Sequence, residues 1–269
     1  MNCGNLKTPI RQRGFSLIEM IVTVGILSIV LAVVFNEIDK VQKRYRTEEA
    51  KLDIFQEARN FMDRFVRDLH TAGYPGVRMY QTGVITLVPP EFDNRVATGL
   101  VLVSATDLRF EADVDGDGQV DSVRYTLLPN GGQCPCILRR SQVIKINATS
   151  PLNQPTSYFS MVDNVVNSGG SGGGGPNGSL IIAGNSPLGG GATVSNQTLY
   201  QEYAGSQIFQ AFDRNGNSIP LPVNFAGNPT ALRSIRTIRV TMNVLATAPD
   251  PQTLQRPAVS LAASARLQN

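Results

Sequence analysis

Residues 15–35 read FSLIEMIVTVGILSIVLAVVF, an apolar run holding one charge, Glu19. No other stretch restricts the fold as much. A helix of that length, at about 1.5 Å per residue, reaches roughly 30 Å, the thickness of a bilayer core. Before it stand Lys7, Arg11, Arg13 and then Gly14, with no acid among residues 1–14. Positive charge ahead of an apolar run keeps that end in the cytoplasm. The acid inside the run is unusual, because a charged side chain at the centre of a spanning helix costs about 2.5–3.5 kcal/mol. Glu19 stands near the start, where the cost is lower. An acid kept there marks a functional position and calls for a partner.

Two ordinary explanations fail on the details. A secretory signal peptide has a shorter apolar region followed by a small-x-small cleavage site, whereas this run ends Ala32-Val33-Val34-Phe35-Asn36. A plain signal anchor accounts for the length and the flanking positives but for neither Gly14 nor Glu19. The hexapeptide Gly14-Phe15-Ser16-Leu17-Ile18-Glu19 resembles the cleavage and methylation motif of type IV prepilins and pseudopilins. That resemblance implies that residues 1–14 are a leader. A membrane aspartyl peptidase then cuts between Gly14 and Phe15 on the cytoplasmic side and methylates the new amine of Phe15. Glu19 becomes the fifth residue of the mature chain, where the family's carboxylate pairs with the terminal amine of a neighbouring subunit. The implied partners are prepilin peptidase, other major and minor subunits and an inner-membrane assembly platform. Many major pilins carry a proline within the apolar helix. This run has none, which favours a minor subunit.

Charge is informative only after the leader is set aside. The chain has 24 Lys and Arg against 21 Asp and Glu. Three of the bases lie in residues 1–14, so the mature chain balances at 21 of each. No excess of positive charge remains for nucleic acid, and no nucleic-acid partner is expected. Of three cysteines, Cys3 leaves with the leader. Cys134 and Cys136 form Cys-Pro-Cys in a segment expected outside the cytoplasm, where oxidation is allowed. A bridge across one residue is strained. The pair is a candidate disulfide and equally can stay free. A second pair of zinc ligands is missing.

Beyond the run, NEIDKVQKRYRTEEA (36–50) is mostly polar and reads as a helical bridge. Ile54, Ala58, Phe61, Phe65 and Leu69 then recur at spacings of three and four, with Phe55, Met62 and Val66 widening the stripe. Gly73 and Pro75 signal the end. His70 falls in the last turn, a structural position near the helix's negative end. One helix over 15 to about 72 follows, with 15–36 transmembrane and 37–72 amphipathic. From Val84 the period becomes two. Expected strands are Val84–Val88, Leu100–Ser104, Leu108–Ala112, Val120–Leu128, Ile137–Ile144, Gln207–Phe212, Ile235–Ala246 and Ala258–Leu267. Short connections favour an antiparallel sheet with one face buried under the helix stripe. The fold class is therefore α+β and pilin-like, with a β-rich head over 73–269. A Gly-rich loop at 168–191 cannot bury a core and lacks the ending of a phosphate loop. Arg233, Arg236 and Arg239, and the pair Arg139-Arg140, read as solvated strand edges. Asp213-Arg-Asn-Gly-Asn217 reads as a hairpin turn.

One constellation has metal-ligand spacing. Asp113, Asp115, Asp117 and Asp121 alternate with Gly116 and Gly118, and Gln119 supplies a carbonyl at the seventh position. This matches the start of an EF-hand loop. Position twelve, however, is Arg124 rather than a bidentate Glu, and the flanks read as strands. The plain alternative is a polar hairpin turn. Against it, four carboxylates within nine residues repel one another. A structural calcium is a candidate ligand, and no cofactor is required.

The head, with DVDGDGQVDSVRYTL (113–127) and two Arg-bearing C-terminal strands, is similar to PilW-type minor pilins and, in outline, to J-type minor pseudopilins of type II secretion. The expected function is a minor type IV pilin in pilus assembly or initiation. It is single-pass in the inner membrane, N-terminus cytoplasmic and head periplasmic, and lies in the pilus after assembly. The alternatives are a minor pseudopilin of a secretion filament, or a filament-displayed adhesin or DNA-binding module. An enzyme is not expected: one histidine, no nucleophile–base pairing and no cofactor fingerprint stand in the sequence.

Overall fold

The computed structural model describes residues 14, 16–130, 133–167, 206–247, 249–250 and 255–267. Compactness divides the chain into two units, residues 1–46 and 47–269. The first helix, α1 (Leu17–His70), contributes to both.

In the first unit every described residue from Ser16 to Gln42 is exposed, including Leu17, Ile18, Ile21, Ile29 and Phe35. This part of α1 is long and apolar enough to cross a membrane. A helix that is apolar all round wants an apolar surrounding on every side. The polar stretch that follows is held by exposed pairs at helical spacing, Lys40–Glu37 (2.8 Å) and Lys43–Asp39 (2.7 Å). Each such pair adds only about 0.3–0.5 kcal/mol to the helix.

The second unit is an antiparallel sheet against the rest of α1. Its strands are β1 (Gly99–Val103), β2 (Asp107–Ala112), β3 (Asp121–Asn130), β4 (Gln133–Ile144), β5 (Tyr158–Val165), β6 (Phe209–Phe212), β7 (Ser218–Ile219), β8 (Val223–Asn224), β9 (Thr237–Leu245) and β10 (Ala258–Arg266). A one-and-a-half-turn helix, α2 (Pro229–Ser234), precedes β9. The order is β7-β6-β9-β5-β4-β3-β2-β1-β8, with β10 also on β9. The stripe Ile54, Ala58, Phe61, Met62, Phe65 and Leu69 is buried against Leu108, Phe110, Val123, Tyr125, Leu138, Ile238, Val240 and Met242. Phe61 and Phe65 meet the Tyr125 ring edge-on at 5.7 and 5.3 Å. Full burial of a side chain such as Leu or Phe contributes about 1.5–3 kcal/mol, so this stripe dominates what fastens the helix to the sheet.

Several expectations need correction. Val84–Val88 is not a strand but a run of turns, with Gly83 at φ +86° and Val88 92% exposed. Two prolines follow Val88 and supply no N–H donor for a ladder. Phe55 is exposed rather than part of the buried stripe. β5 went unforeseen because its alternation is broken: it pairs with β4 through two register irregularities. The helix α2 was also not expected.

At β2 the sheet is buried on its second face too. Arg109 and Glu111, which alternate with Leu108 and Phe110 along β2, are 4% and 0% exposed. Arg109 donates to the carbonyls of Leu152 (2.5 Å), Pro151 and Gln154. Lys145, wholly buried, donates to Glu111 Oε2 (2.6 Å) and to the carbonyls of Glu91 and Val96. Burial pushes the Glu111 carboxyl above its usual range, although the Lys145 charge opposes it. Connecting segments thus cover the face that alternation assigns to solvent.

Candidate functional site

The described residues of the N-terminal motif, Gly14 and Ser16–Glu19, stand at the N-terminal end of α1. Gly14 is exposed, and a Cβ added there would meet nothing within 4 Å. Phe15 lies outside the described residues. The first backbone bond of the helix runs from Met20 N–H to the Ser16 carbonyl (3.1 Å). Glu19 sits in that first turn, exposed. Its backbone carbonyl accepts Thr23 Oγ1 (2.9 Å), while its carboxylate has no hydrogen bond or ion pair among the described residues. An acid at the head of an apolar helix, with no partner among the described residues, has lone pairs that a group from another molecule can use.

The acidic loop joins β2 to β3, whose register pairs Ala112 with Asp121. Its feet are fixed by Asp113 N–H donating to the Tyr74 carbonyl (2.9 Å) and by the Val120 carbonyl accepting Lys145 N–H (2.8 Å). Gly116 and Gly118 take φ of +77° and +84°, a region open to glycine and strained for other residues. One carboxylate oxygen each of Asp113, Asp115 and Asp117 lies within 4.8 Å of the others. These oxygens also close the loop on itself. Asp113 accepts Gly116 N–H (2.7 Å) and Gly118 N–H (3.1 Å), while Asp117 accepts Gln119 N–H (2.8 Å) and its side-chain amide (3.0 Å). A carboxylate oxygen has two lone pairs, so a cation would share oxygens that already hold one N–H.

Asp121 stands apart from this trio. It is 4% exposed and accepts Gln142 Nε2 at 2.8 Å. Burial is the main cause that raises its pKa to about 6; the Gln142 bond opposes it, and the charges of Asp115 and Asp117 add to it. The structure therefore brings together Asp113, Asp115 and Asp117 and leaves Asp121 to one side, bridged by Gln142, which also reaches Asp115 (3.3 Å). Gln142 was missed by sequence reasoning. Its signal is register: it pairs across β3/β4 with Val123, two residues from Asp121. Arg124, at position twelve, forks onto Asp107 of the neighbouring strand and points its charge there.

Arg140 was expected at a solvated edge and is instead 1% exposed. Its guanidinium donates to Asp68 Oδ2 through Nε (2.9 Å) and Nη2 (2.7 Å), and to Gln142 through Nη1 (2.8 Å). Tyr125 Oη donates to the same Asp68 oxygen (2.7 Å). The guanidinium lies 5.8 Å from the rings of Tyr125 and Phe159. Burial and the Asp68 charge push the Tyr125 hydroxyl up, so it stays a donor. Cys136 is buried and disulfide-bonded, while the Cys134 side chain and the Gly-rich loop at 168–191 lie outside the described residues.

Residues 10–35 match the family model of the prokaryotic N-terminal methylation motif. The chain carries this motif, which is typical of type IV prepilins and pseudopilins. The motif supports a type IV pilin or pseudopilin precursor, a substrate of prepilin peptidase that associates with other pilins. The exposed apolar helix and the large antiparallel sheet after it give the pilin-like α+β architecture and fit an inner-membrane anchor. No curated protein and no solved structure gives a significant match to the chain.

Proposed function

We propose that this chain is a minor type IV pilin: an inner-membrane precursor that takes part in pilus assembly and initiation after its leader is removed. The observation that carries the reading is the methylation motif matched at residues 10–35, whose described part runs into an exposed apolar helix. Cleavage falls between Gly14 and Phe15, methylation at the Phe15 amine. Glu19 pairs with the terminal amine of an adjacent subunit, which fits the lack of a partner for its carboxylate among the described residues. The absence of proline from residues 15–35 supports a minor rather than a major subunit. The basic leader supports a cytoplasmic N-terminus and a periplasmic head.

The test is the intact mass and N-terminal sequence of the protein recovered from membranes. A chain beginning at N-methylated Phe15, and one beginning at Met1 when Gly14→Val is expressed beside it, would support the assignment. A wild-type chain still beginning at Met1, in cells with active prepilin peptidase, would sink it. The acidic loop carries a second, structural proposal: a calcium ion held by Asp113, Asp115 and Asp117, with the Gln119 carbonyl adding an oxygen and Asp121 outside the set. The convergence of three carboxylate oxygens supports it.

A further inference from the structure

Three arginines and one acid, Asp213, line a recess of about 580 Å³ in the sheet unit, and none of the three forms an ion pair among the described residues. The recess forms where three strand ends meet. Phe212 at the end of β6 pairs with Thr237 at the start of β9, and Thr237 pairs with Arg266 at the end of β10. Backbone bonds lock the junction: Arg236 N–H on the Phe212 carbonyl (2.8 Å) and Leu267 N–H on the Arg236 carbonyl (2.9 Å). The turn after β6 adds Arg214. Arg214, Arg236 and Arg266 therefore come from three separate elements, brought together only by strand register.

Their electrostatics are unbalanced. Among the described residues the Arg214 and Arg266 side chains make no hydrogen bond or ion pair, and Arg236 uses one nitrogen, Nη1, on the carbonyls of Arg233 (2.9 Å) and Ile235 (3.1 Å). Those bonds orient the guanidinium and leave its other donors free. The one acid in the lining, Asp213, is already engaged. It accepts Asn215 N–H and Asn217 N–H (both 2.8 Å) and the Asn217 amide (3.1 Å), which hold its carboxyl below the usual range. Three cations against one occupied carboxylate leave a net attraction for an anion. The pattern differs from Arg95, Arg124 and Arg140, each of which has its own carboxylate.

We infer that this recess is a binding site for a phosphate monoester of sugar size. Guanidinium forks suit tetrahedral oxyanions, and charge-assisted bonds to them are about twice as strong as neutral ones. A dianionic ester matches the surplus charge. The volume lies within the range of small-molecule pockets, about 300–1,000 Å³, and leaves room for a sugar body beyond the phosphate. Duplex DNA is disfavoured because it needs a basic stripe rather than a single recess. The site goes beyond the assembly role and does not depend on it.

The experiment is calorimetric titration of the full-length chain in detergent micelles, in phosphate-free buffer at low salt. The probes are glucose 1-phosphate, inorganic phosphate and glucose. Saturable binding of glucose 1-phosphate at millimolar concentration or below, without binding of glucose, is expected. Arg266→Gln and Arg214→Gln should each weaken it about tenfold or more. Their thermal midpoints should stay unchanged, since both side chains are exposed and unpaired, and Arg78→Gln, an exposed arginine elsewhere, should change nothing. Inorganic phosphate binding as tightly as the ester would assign the site to free phosphate; tighter binding of the ester assigns it to phosphorylated sugars. No heat from either phosphate, or binding that survives Arg266→Gln, overturns the proposal. So does binding of duplex DNA through these arginines with no binding of the sugar phosphate.

Discussion

Asp68 is the residue on which the helix–sheet contact turns chemically. Its Oδ2 gathers Arg140 and Tyr125 in a buried site. Removing one member of a buried ion pair strands the other charge, at a cost of about 3–5 kcal/mol, whereas replacing both by apolar groups is often neutral. Asp68→Ala should therefore lower unfolding stability in urea by about that amount, and Asp68→Leu combined with Arg140→Met should recover most of it. Equal losses in the single and double variants would show that packing, not charge, governs this position. Asp93 supplies the pH signature. Arg95 donates to it through Nε (2.9 Å), Nη2 (2.8 Å) and its backbone N–H (3.0 Å), and these bonds hold its carboxyl below the usual range. A folded pKa below the unfolded one gives stability that is complete above the unfolded value, near 3.8, and lost as pH falls through the folded value. Asp93→Asn should cost about 1 kcal/mol at neutral pH and progressively less in acid. A deficit independent of pH would refute the pairing.

At the scale of elements, the β2–β3 loop is the segment with a conditional property. Its carboxylates accept its own N–H groups. The same turns bring three oxygens close enough for one ion to span them. Calcium should therefore raise the thermal midpoint of the full-length protein relative to a chelator, and Asp115→Asn with Asp117→Asn should abolish the difference. The loop is simply a self-bonded turn if calcium leaves the midpoint unchanged and equilibrium dialysis finds no bound ion. The effect should reach beyond the loop, because Gln142 links Asp115 and Asp121 to Arg140, and Arg140 links to Asp68 on α1.

At the scale of the whole molecule, the chain pairs a membrane-length apolar segment with a sheet unit that has its own core. Glu19 is the charged group in the described apolar part of α1 and has no partner there. Glu19→Gln removes the cost of a charge in lipid and should not impair membrane insertion. It should also leave cleavage after Gly14 intact while depleting the protein from sheared filaments. Normal incorporation of the variant would mean that Glu19 pairs with nothing in the assembly.

What the sequence determined by itself was local. The apolar run, the motif at 14–19 and the stripe Ile54–Leu69 are legible because burial periodicity and chain length act along one helix. Strands with clean alternation, such as Ile238, Val240, Met242 and Val244 in β9, were legible for the same reason, and all four are fully buried. The acidic loop was visible as spacing, though not the exclusion of Asp121 from the trio. Only the tertiary structure decided what crosses between distant segments. Arg140 looked like a surface charge until β3 and β4 carried it under α1 to Asp68, 72 residues away. Arg109 and Glu111 take the strand face opposite Leu108 and Phe110, and only the 90–98 and 145–154 segments supply their partners. Arg214, Arg236 and Arg266 became one recess only when three strand ends were set in register. Side-chain alternation states which face a residue takes; whether water or protein covers that face is settled by partners far away in the chain.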